Sequence, residues 1–383
     1  MYDLGGTIRE ITPEKTLARL IPLLLPTFGI TRVANITGLD HVNIHTYVAI
    51  RPNAKTLSTS QGKGITQSLA KISAIMESIE SWHAENVRTP DVVGSYHQLQ
   101  STYPLTPLEP FLIGAVGYED GLDRPISWIL AHEIFSNQII YMPYCLINLD
   151  STHLPKGYES FAPSSNGLAA GNSFTEAICH GLYEVIERDC IYEYLHADAD
   201  EHQQRHVNIK SIDCPHNQEL IYRIQQAGLK IYIWDIANKI GIPAFCVEID
   251  DPDDIRAVGL FAGYGAHLSR NIALSRALTE AVQSRLTFIS GSRDDLFPAL
   301  YKDNVARHAN YSNVAKRDFN QCPHVMVPDT FHDCLSLIKH KLQQQQINYA
   351  IAFNHTRPDI GIPVVHTFIP ALKFDWREHR QVR

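Results

Sequence analysis

Two glutamates three residues apart stand out in the stretch GNSFTEAICHGLYEVIERD, residues 171–189. In a helix, residues three and four apart are neighbours, so Glu184 and Glu187 share one face. Carboxylates held side by side repel each other unless a cation lies between them, and hard oxygen ligands suit Mg²⁺. The spacing therefore indicates a divalent metal site. The histidine that di-iron sites place three residues after a glutamate is absent here.

The same pattern occurs twice more in the chain. Residues 64–81 read GITQSLAKISAIMESIES, and residues 267–285 read HLSRNIALSRALTEAVQSR. The acidic or amide positions in these two copies are Glu77, Glu80, Glu280 and Gln283. When the copies are aligned on the first glutamate, three hydroxyl residues coincide as predicted helix N-caps, namely Thr66, Ser173 and Ser269. This self-similarity predicts three related helix-bearing units.

Groups suited to phosphate accompany the carboxylates. Arg188 and Arg285 follow the paired positions and could bind phosphate oxygens through two parallel hydrogen bonds. Residues 58–64 are expected to form a polar glycine loop before a helix N-terminus, where free N–H groups favour anions, and residues 164–172 form a similar segment. Neither is a Walker motif. Lys63 lies among these glycines and is included with the predicted ATP-binding residues, with a solvated lysine as the alternative.

Helix geometry constrains how these groups can cooperate. Gly64 and Glu77 belong to one copy and lie about 20 Å apart along a helix. The loop and the carboxylates of one copy therefore cannot bind the same triphosphate. We expect different copies to converge on one site. The alternative is that the glutamates form solvated helix faces and that common ancestry of the three units explains their register.

Composition restricts the class of protein. The chain has 383 residues, 44% hydrophobic and 19% charged, as in ordinary globular proteins. A net charge of −8 disfavours broad nucleic-acid binding. The N-terminus lacks a signal-peptide layout, and its apolar run is broken by Pro22 and Pro26, so a cytoplasmic protein without membrane association is predicted. The seven cysteines are scattered without C-x-x-C, which predicts structural thiols.

The predicted elements alternate between helices and strand pairs. Helices are expected at residues 12–25, 66–86, 217–227, 271–288 and 331–342, besides the stretch that carries Glu184. Strands are expected at residues 31–37, 45–51, 127–133, 139–148, 229–236, 243–250, 257–265, 347–354 and 362–369. This order predicts an α/β sandwich with mostly antiparallel sheets rather than a Rossmann fold. We expect one domain, residues 1–383, with repeated units around 58–86, 165–195 and 263–288.

Four stretches together resemble the YcaO family: GITRVANITGLD, SQGKGITQSLAKISAIMESIE, GNSFTEAICHGLYEVIERD and GYGAHLSRNIALSRALTEAVQSR. The resemblance covers about residues 28–370. It implies a protein that binds ATP and Mg²⁺ through a non-Walker site and uses ATP to activate, by phosphorylation, a backbone amide oxygen of a ribosomally made peptide or protein. A neighbouring Cys, Ser or Thr side chain then gives an azoline, and a sulfur donor gives a thioamide.

The resemblance also implies roles for individual residues. The metal ligands would be Glu77, Glu80, Glu184 and Glu187. The nucleotide-contacting residues would be Ser73, Asn172, Glu176, Arg188, Gln283 and Arg285, with Arg285 meeting phosphate. No residue is assigned as a general base.

The chain ends IPALKFDWREHRQVR, without the Pro-x-Pro-x-Pro tail that azoline-forming members often carry, and no fused leader-binding domain is recognised. These features resemble the stand-alone branch that works with a separate TfuA-type partner and is associated with thioamides. The expected partners are a peptide or protein substrate and a TfuA-like or leader-peptide-binding protein. A non-catalytic ATP-binding accessory to a peptide- or ribosomal-protein-modifying enzyme is the alternative. The oligomer, with a homodimer as one option, is left open.

Overall fold

A computed structural model describes residues 1–112, 122–155, 157–251, 259–296, 301, 311 and 315–374. The helices are α1 (Pro13–Leu20), α2 (Gln67–Glu85), α3 (Tyr96–Leu99), α4 (Tyr144–Ile147), α5 (Phe174–Leu195), α6 (Ala199–Arg205), α7 (Pro215–Gln226), α8 (Arg270–Ser290) and α9 (Phe331–Gln344). The strands are β1 (Tyr2–Asp3), β2 (Ile8–Arg9), β3 (Arg32–Asn35), β4 (Thr46–Ile50), β5 (Thr59–Lys63), β6 (Val92–Gly94), β7 (Ile126–Glu133), β8 (Ile139–Pro143), β9 (Leu168–Ala170), β10 (Lys230–Asp235), β11 (Ala244–Asp250), β12 (Leu260–Ala266), β13 (Ile351–Asn354) and β14 (Val364–Phe368). Residues 257–258 of one predicted strand and residues 375–383 of the tail lie outside the described residues.

The strands in the described part of the chain pair antiparallel, as predicted. β3, β4 and β5 form one sheet, and β10, β11 and β12 form a second sheet. The largest sheet has the order β6-β7-β13-β14-β9, with β8 added on β7. β1 and β2 form a small hairpin at the N-terminus. The α/β fold with antiparallel sheets is therefore confirmed.

The three long helices begin where the hydroxyl residues predicted it. The side chain of Thr66 accepts a hydrogen bond from Leu69 N, and the side chain of Ser173 accepts one from Glu176 N. Ser269 does the same for the first turn of α8. Each cap satisfies an N–H that has no partner inside the helix, which fixes the helix start.

Each long helix is preceded by the edge strand of a different sheet. β5, β9 and β12 are these edge strands, and α2, α5 and α8 follow them in the chain. Residues 58–64 were predicted to be a phosphate-binding loop, and this prediction is wrong for their backbone. Thr59–Lys63 pair with β4 along their whole length, because the sheet supplies hydrogen bonds that a free loop would lack.

Glycines let these strands lie directly on the helices. A Cβ on Gly62 would lie 2.3 Å from Ala70 O and 2.0 Å from Ala74 N of α2. A Cβ on Gly265 would lie 2.2 Å from Ala273 O of α8, the equivalent contact in the third unit. The glycines and small helix residues therefore serve close backbone packing.

Other differences from the predicted elements have local causes. The strand predicted over residues 139–148 ends at Pro143, which has no N–H for the ladder, and α4 follows. Helix α6 was not predicted; it has only a short polar sequence and begins at an Asp198 cap. The glycine segment predicted over residues 164–172 contains β9, whose strand character comes from pairing with β14.

The interior is built from several apolar clusters against the sheets. Tyr183 and Ile186 of α5 are buried in one cluster, and Leu278 and Val282 of α8 are buried in another. All seven cysteines are free, and six of them are buried, which agrees with structural thiols. Among the described residues, no helix is both long and apolar enough to cross a bilayer.

The glycine contact gives a stability prediction. We expect Gly62→Ala to lower the free energy of unfolding by about 1–3 kcal/mol, because the added methyl group must push β5 away from α2. Gly38→Ala is the control: no heavy atom lies within 4 Å of its Cβ, and we expect a change within about 1 kcal/mol. Urea unfolding of both variants measures the difference. If the two variants are equally stable, β5 and α2 accommodate the added methyl group without a loss in the free energy of unfolding.

Candidate active site

The three long helices converge on one cleft of about 1400 Å³. It is lined by ten of the predicted site residues: Lys63, Ser73, Glu77, Glu80, Asn172, Glu176, Glu184, Glu187, Arg188 and Gln283. Parts of the edge strands β5, β9 and β12 form its walls. Residues of different copies thus converge on one cleft, as expected, and the charge of Lys63 also acts on Glu77 of its own copy.

Backbone hydrogen bonds position the glutamates of the cleft. Glu80 of α2 accepts from Ala170 N of β9 at 2.6 Å, and Glu187 of α5 accepts from Ala266 N of β12 at 2.8 Å. Ala170 and Ala266 are equivalent positions of the repeat. Each bond therefore joins one helix to the edge strand of the next unit and holds a carboxylate oxygen in place.

The electrostatic environment of these carboxylates disfavours their ionised form in the absence of a cation. Burial raises the pKa of Glu77 to about 7, and the charge of Glu184 adds to the shift. Burial, followed by the charges of Glu77 and Glu184, raises the pKa of Glu80 well above its ordinary value. The pKa of Glu187 is raised by burial as well. A bound cation would remove the mutual repulsion, so these oxygen donors fit Mg²⁺.

The carboxylates do not form a complete ligand set by themselves. In the described part of the chain, no group of three or more His, Cys, Asp or Glu side chains is arranged to hold a metal ion. Mg²⁺ commonly takes one or two carboxylates and completes its octahedron with waters and substrate phosphates. The arrangement thus suits a metal that arrives with a phosphate ligand better than a resident structural metal.

One wall of the cleft is a hydrogen-bonded cluster around Glu176. Asn172 Nδ2 donates to Glu176 Oε1 at 3.2 Å, and Thr16 Oγ1 donates to Asn172 Oδ1 at 3.0 Å. Arg9 lies 3.5 Å from Glu176 and also contacts His180. Burial, followed by the charge of Arg9, lowers the pKa of His180 well below its ordinary value, so this histidine is neutral.

Arg188 and Lys63 each lie close to a glutamate of the repeat. Arg188 Nη2 is 3.6 Å from Glu184 Oε1 one turn earlier in α5. Burial lowers the pKa of Arg188, but Glu187 and Glu184 more than offset this, and the pKa is raised. Lys63 Nζ, at the end of β5, forms an ion pair with Glu280 of α8. Both cations line the cleft and can contact an anion there.

Arg285 is a correction to the predicted site. Its side chain is only 2% exposed and does not line the cleft. Arg285 Nε lies 2.9 Å from Asp40 Oδ2, and Nη2 lies 3.1 Å from Asp251 Oδ2. Because Gln283 lies two residues before Arg285, their side chains point to different sides of α8. Gln283 lines the cleft, whereas Arg285 is held by ion pairs away from it.

Several lining residues were not among the predicted site residues: Arg9, His180, Arg276, Glu280 and Arg293. The repeat register pointed to Glu280, which aligns with Glu77 and Glu184. No local signal indicated Arg9. It reaches the cleft because the β1–β2 hairpin lies beside α5, which is a long-range contact.

The fold and the cleft define an α/β protein whose carboxylates and cations suit a metal-bound nucleotide without a Walker loop. Residues 61–373 match the family model described as YcaO cyclodehydratase, ATP- and Mg²⁺-binding. The chain belongs to the YcaO family. The predicted family and the predicted cofactors, ATP and Mg²⁺, are thereby confirmed, and the family description supports an ATP-dependent enzyme.

Individual relatives agree with this family. A protein of Rhizobium leguminosarum bv. trifolii, described as an uncharacterized protein in the tfuA 3' region, is 32% identical over 381 residues, which span 96% of this chain and 89% of that protein. A heterocyclase in complex with substrate and cofactor has a TM-score of 0.77 at 24% identity, over 96% of this chain and 53% of that chain. YcaO from Methanopyrus kandleri bound with AMPPCP and Mg²⁺ has a TM-score of 0.74 at 18% identity, over 100% of this chain and 96% of that chain. At these low sequence identities, the two matches show that this chain shares the fold of those structures.

The position of Arg285 gives a prediction about stability. We expect Arg285→Met to lower the free energy of unfolding by about 3–5 kcal/mol, because Asp40 and Asp251 would remain buried without their cation. Arg223→Met, which removes an exposed ion pair on α7, should change it by less than about 1 kcal/mol. Denaturant unfolding compares the two. A stable Arg285→Met protein with a specific loss of ATP affinity would instead support a phosphate contact.

Proposed function

We propose that this protein uses Mg²⁺ and ATP to phosphorylate a backbone amide oxygen of a ribosomally made peptide or protein, leading to a thioamide or an azoline. The observation that carries the proposal is the convergence of Glu77 and Glu80 with Glu184 and Glu187 on one cleft that also contains Lys63 and Arg188. A solvated helix face would not leave Glu187 only 3% exposed or raise the pKa of Glu77 to about 7.

In this proposal the two glutamate pairs hold Mg²⁺, which would neutralise the triphosphate and offset charge in phosphoryl transfer. Arg188 and Lys63 bind phosphate oxygens. The remaining nucleotide contacts are assigned to Ser73, Asn172, Glu176 and Gln283. Arg285 is left out, since its guanidinium is paired with Asp40 and Asp251.

The chemistry proceeds by two displacements. The peptide amide oxygen attacks the γ-phosphorus of ATP, and the bond to ADP breaks. A nucleophile then adds to the amide carbon, and phosphate leaves with the former amide oxygen. A Cys, Ser or Thr side chain of the substrate gives an azoline, and a sulfur donor gives a thioamide. The protein contributes positioning and fixed charges, which are the main means of catalysis in phosphoryl transfer.

A TfuA-like protein is the partner that we propose for this chain. The support is the relative described as a protein in the tfuA 3' region, which spans 96% of this chain at 32% identity. This association favours the thioamide product over the azoline. A peptide substrate would enter the same cleft, where the open volume of about 1400 Å³ exceeds what a nucleotide-sized ligand commonly needs.

Substitution of one metal carboxylate tests the proposal. We expect Glu184→Gln to lower peptide-dependent phosphate release by about 100- to 1000-fold, as for the loss of a preorganised charged group. Phosphate release is measured with the TfuA-like partner and candidate peptides. Mass spectrometry of the peptide then distinguishes loss of one water, an azoline, from replacement of one oxygen by sulfur, a thioamide.

Glu219→Gln is the matched control, because Glu219 forms an exposed pair with Arg223 on α7 and does not line the cleft. It should keep wild-type activity. A folded Glu184→Gln protein that modifies peptide at the wild-type rate would exclude the metal assignment. Tight binding of Mg²⁺ and ATP by the wild type, with no turnover on any peptide, would favour the non-catalytic accessory function.

A further inference from the structure

Glu280 occupies the third carboxylate position of the repeat and contacts a cation of the protein itself. It aligns with Glu77 and Glu184, the first members of the two predicted metal pairs. Its Oε2 forms the ion pair with Lys63 Nζ, and its Oε1 accepts from Tyr264 N of β12 at 3.3 Å. The side chains of Lys63 and Glu280 are 16% and 24% exposed, so the pair lies largely shielded in the cleft.

The third copy of the repeat carries less negative charge at the paired positions than the other two copies. Each metal pair carries two carboxylates, whereas the third has Glu280 and the neutral Gln283. The ammonium of Lys63 balances the one remaining negative charge. Burial opposes ionisation of Glu280, but Lys63, Arg188 and Arg276 together hold its pKa below the ordinary value. Lys63 is thus the cation that contacts Glu280, and Arg188 and Arg276, which line the same cleft, add their positive charges.

Those cations would attract any polyphosphate if Glu280 were absent. A metal-free nucleotide carries several negative charges, so its phosphates can be bound only by the cations of the cleft. The Mg²⁺-bound nucleotide carries less net negative charge and can in addition be held by the glutamate pairs. The negative charge of Glu280 among the cations weakens binding of the metal-free nucleotide more than binding of the Mg²⁺-bound nucleotide, because the electrostatic interaction scales with the net charge of the ligand.

We propose that Glu280 is a specificity-determining residue, which acts through Lys63 to make the cleft prefer the Mg²⁺-bound nucleotide over the metal-free nucleotide. The inference deepens the proposed function and rests on ATP binding in this cleft. Glu280 is a positioning residue in this role, because its carboxylate balances the positive charge of Lys63 in the free protein. When the Mg²⁺-bound nucleotide binds, a phosphate oxygen would replace the carboxylate as the partner of Lys63.

The experiment measures ATP affinity by isothermal titration calorimetry, once with excess Mg²⁺ and once with EDTA. The proteins are the wild type, Glu280→Gln, Lys63→Met and the double variant. Glutamine retains an oxygen that can accept from Tyr264 N, so the Glu280→Gln protein should keep the strand contact. Melting temperatures verify folding, and Glu219→Gln is the control for a charge change elsewhere.

We expect Glu280→Gln to bind metal-free ATP about tenfold more tightly, with the affinity for Mg²⁺-ATP changed by less than about threefold. In the Lys63→Met background the same substitution should have a smaller effect, since the two residues act as one unit. A purely structural role of Glu280 would lower the melting temperature without changing the ratio of the two affinities.

If Glu280→Gln leaves the ratio of the affinities for Mg²⁺-ATP and metal-free ATP unchanged, the inference is overturned. It is also overturned if the variant needs more Mg²⁺ to bind ATP, because Glu280 would then be a metal ligand. If Glu280→Gln does not fold, Lys63→Gln decides: it should weaken binding of metal-free ATP about tenfold more than binding of Mg²⁺-ATP, and an equal loss overturns the inference. A wild type that does not bind Mg²⁺-ATP would overturn the proposed function as well. Binding by the wild type with an unchanged ratio in Glu280→Gln overturns this inference alone.

Discussion

Hydrogen bonds from glutamate side chains to the backbone of neighbouring edge strands hold the cleft together. Glu80 reaches Ala170 N, and Glu187 reaches Ala266 N, so each carboxylate ties a helix of one unit to a strand of the next. These strand ends are edges of separate sheets, and an uncovered edge would expose unpaired N–H groups. The same side chains thus satisfy one N–H on each edge strand and bring negative charge into the cleft.

This arrangement concentrates charge of both signs in one place. The pKa values of Glu77, Glu80 and Glu187 are raised, mainly by burial, while nearby cations lower that of Glu280. The free cleft therefore contains carboxylates whose ionised form is disfavoured by burial, beside Glu280, whose ionised form is stabilised by neighbouring cations. A ligand that brings a divalent metal together with phosphate oxygens satisfies both groups at once, which is the physical link between the repeat and nucleotide binding.

The departures from threefold symmetry carry the chemical differences between the units. The first two units keep both glutamates, while the third replaces one with Gln283 and pairs the other with Lys63. Arg285, the residue that most resembles a phosphate ligand in the third unit, instead joins Asp40 and Asp251 in the interior. Shared backbone geometry and divergent side chains thus give a scaffold common to the three units and one asymmetric site.

The sequence by itself determined the three long helices, their caps at Thr66, Ser173 and Ser269, the register of the carboxylates and the antiparallel α/β class. These features depend on neighbours within a few residues, where side-chain spacing and local hydrogen bonds decide the outcome. Only the tertiary structure decided that residues 59–63 are an edge strand, that Arg9 joins Glu176, and that Arg285 faces the interior. Each of these depends on partners far away in the chain, whose contacts follow from sheet pairing and helix packing rather than from local pattern.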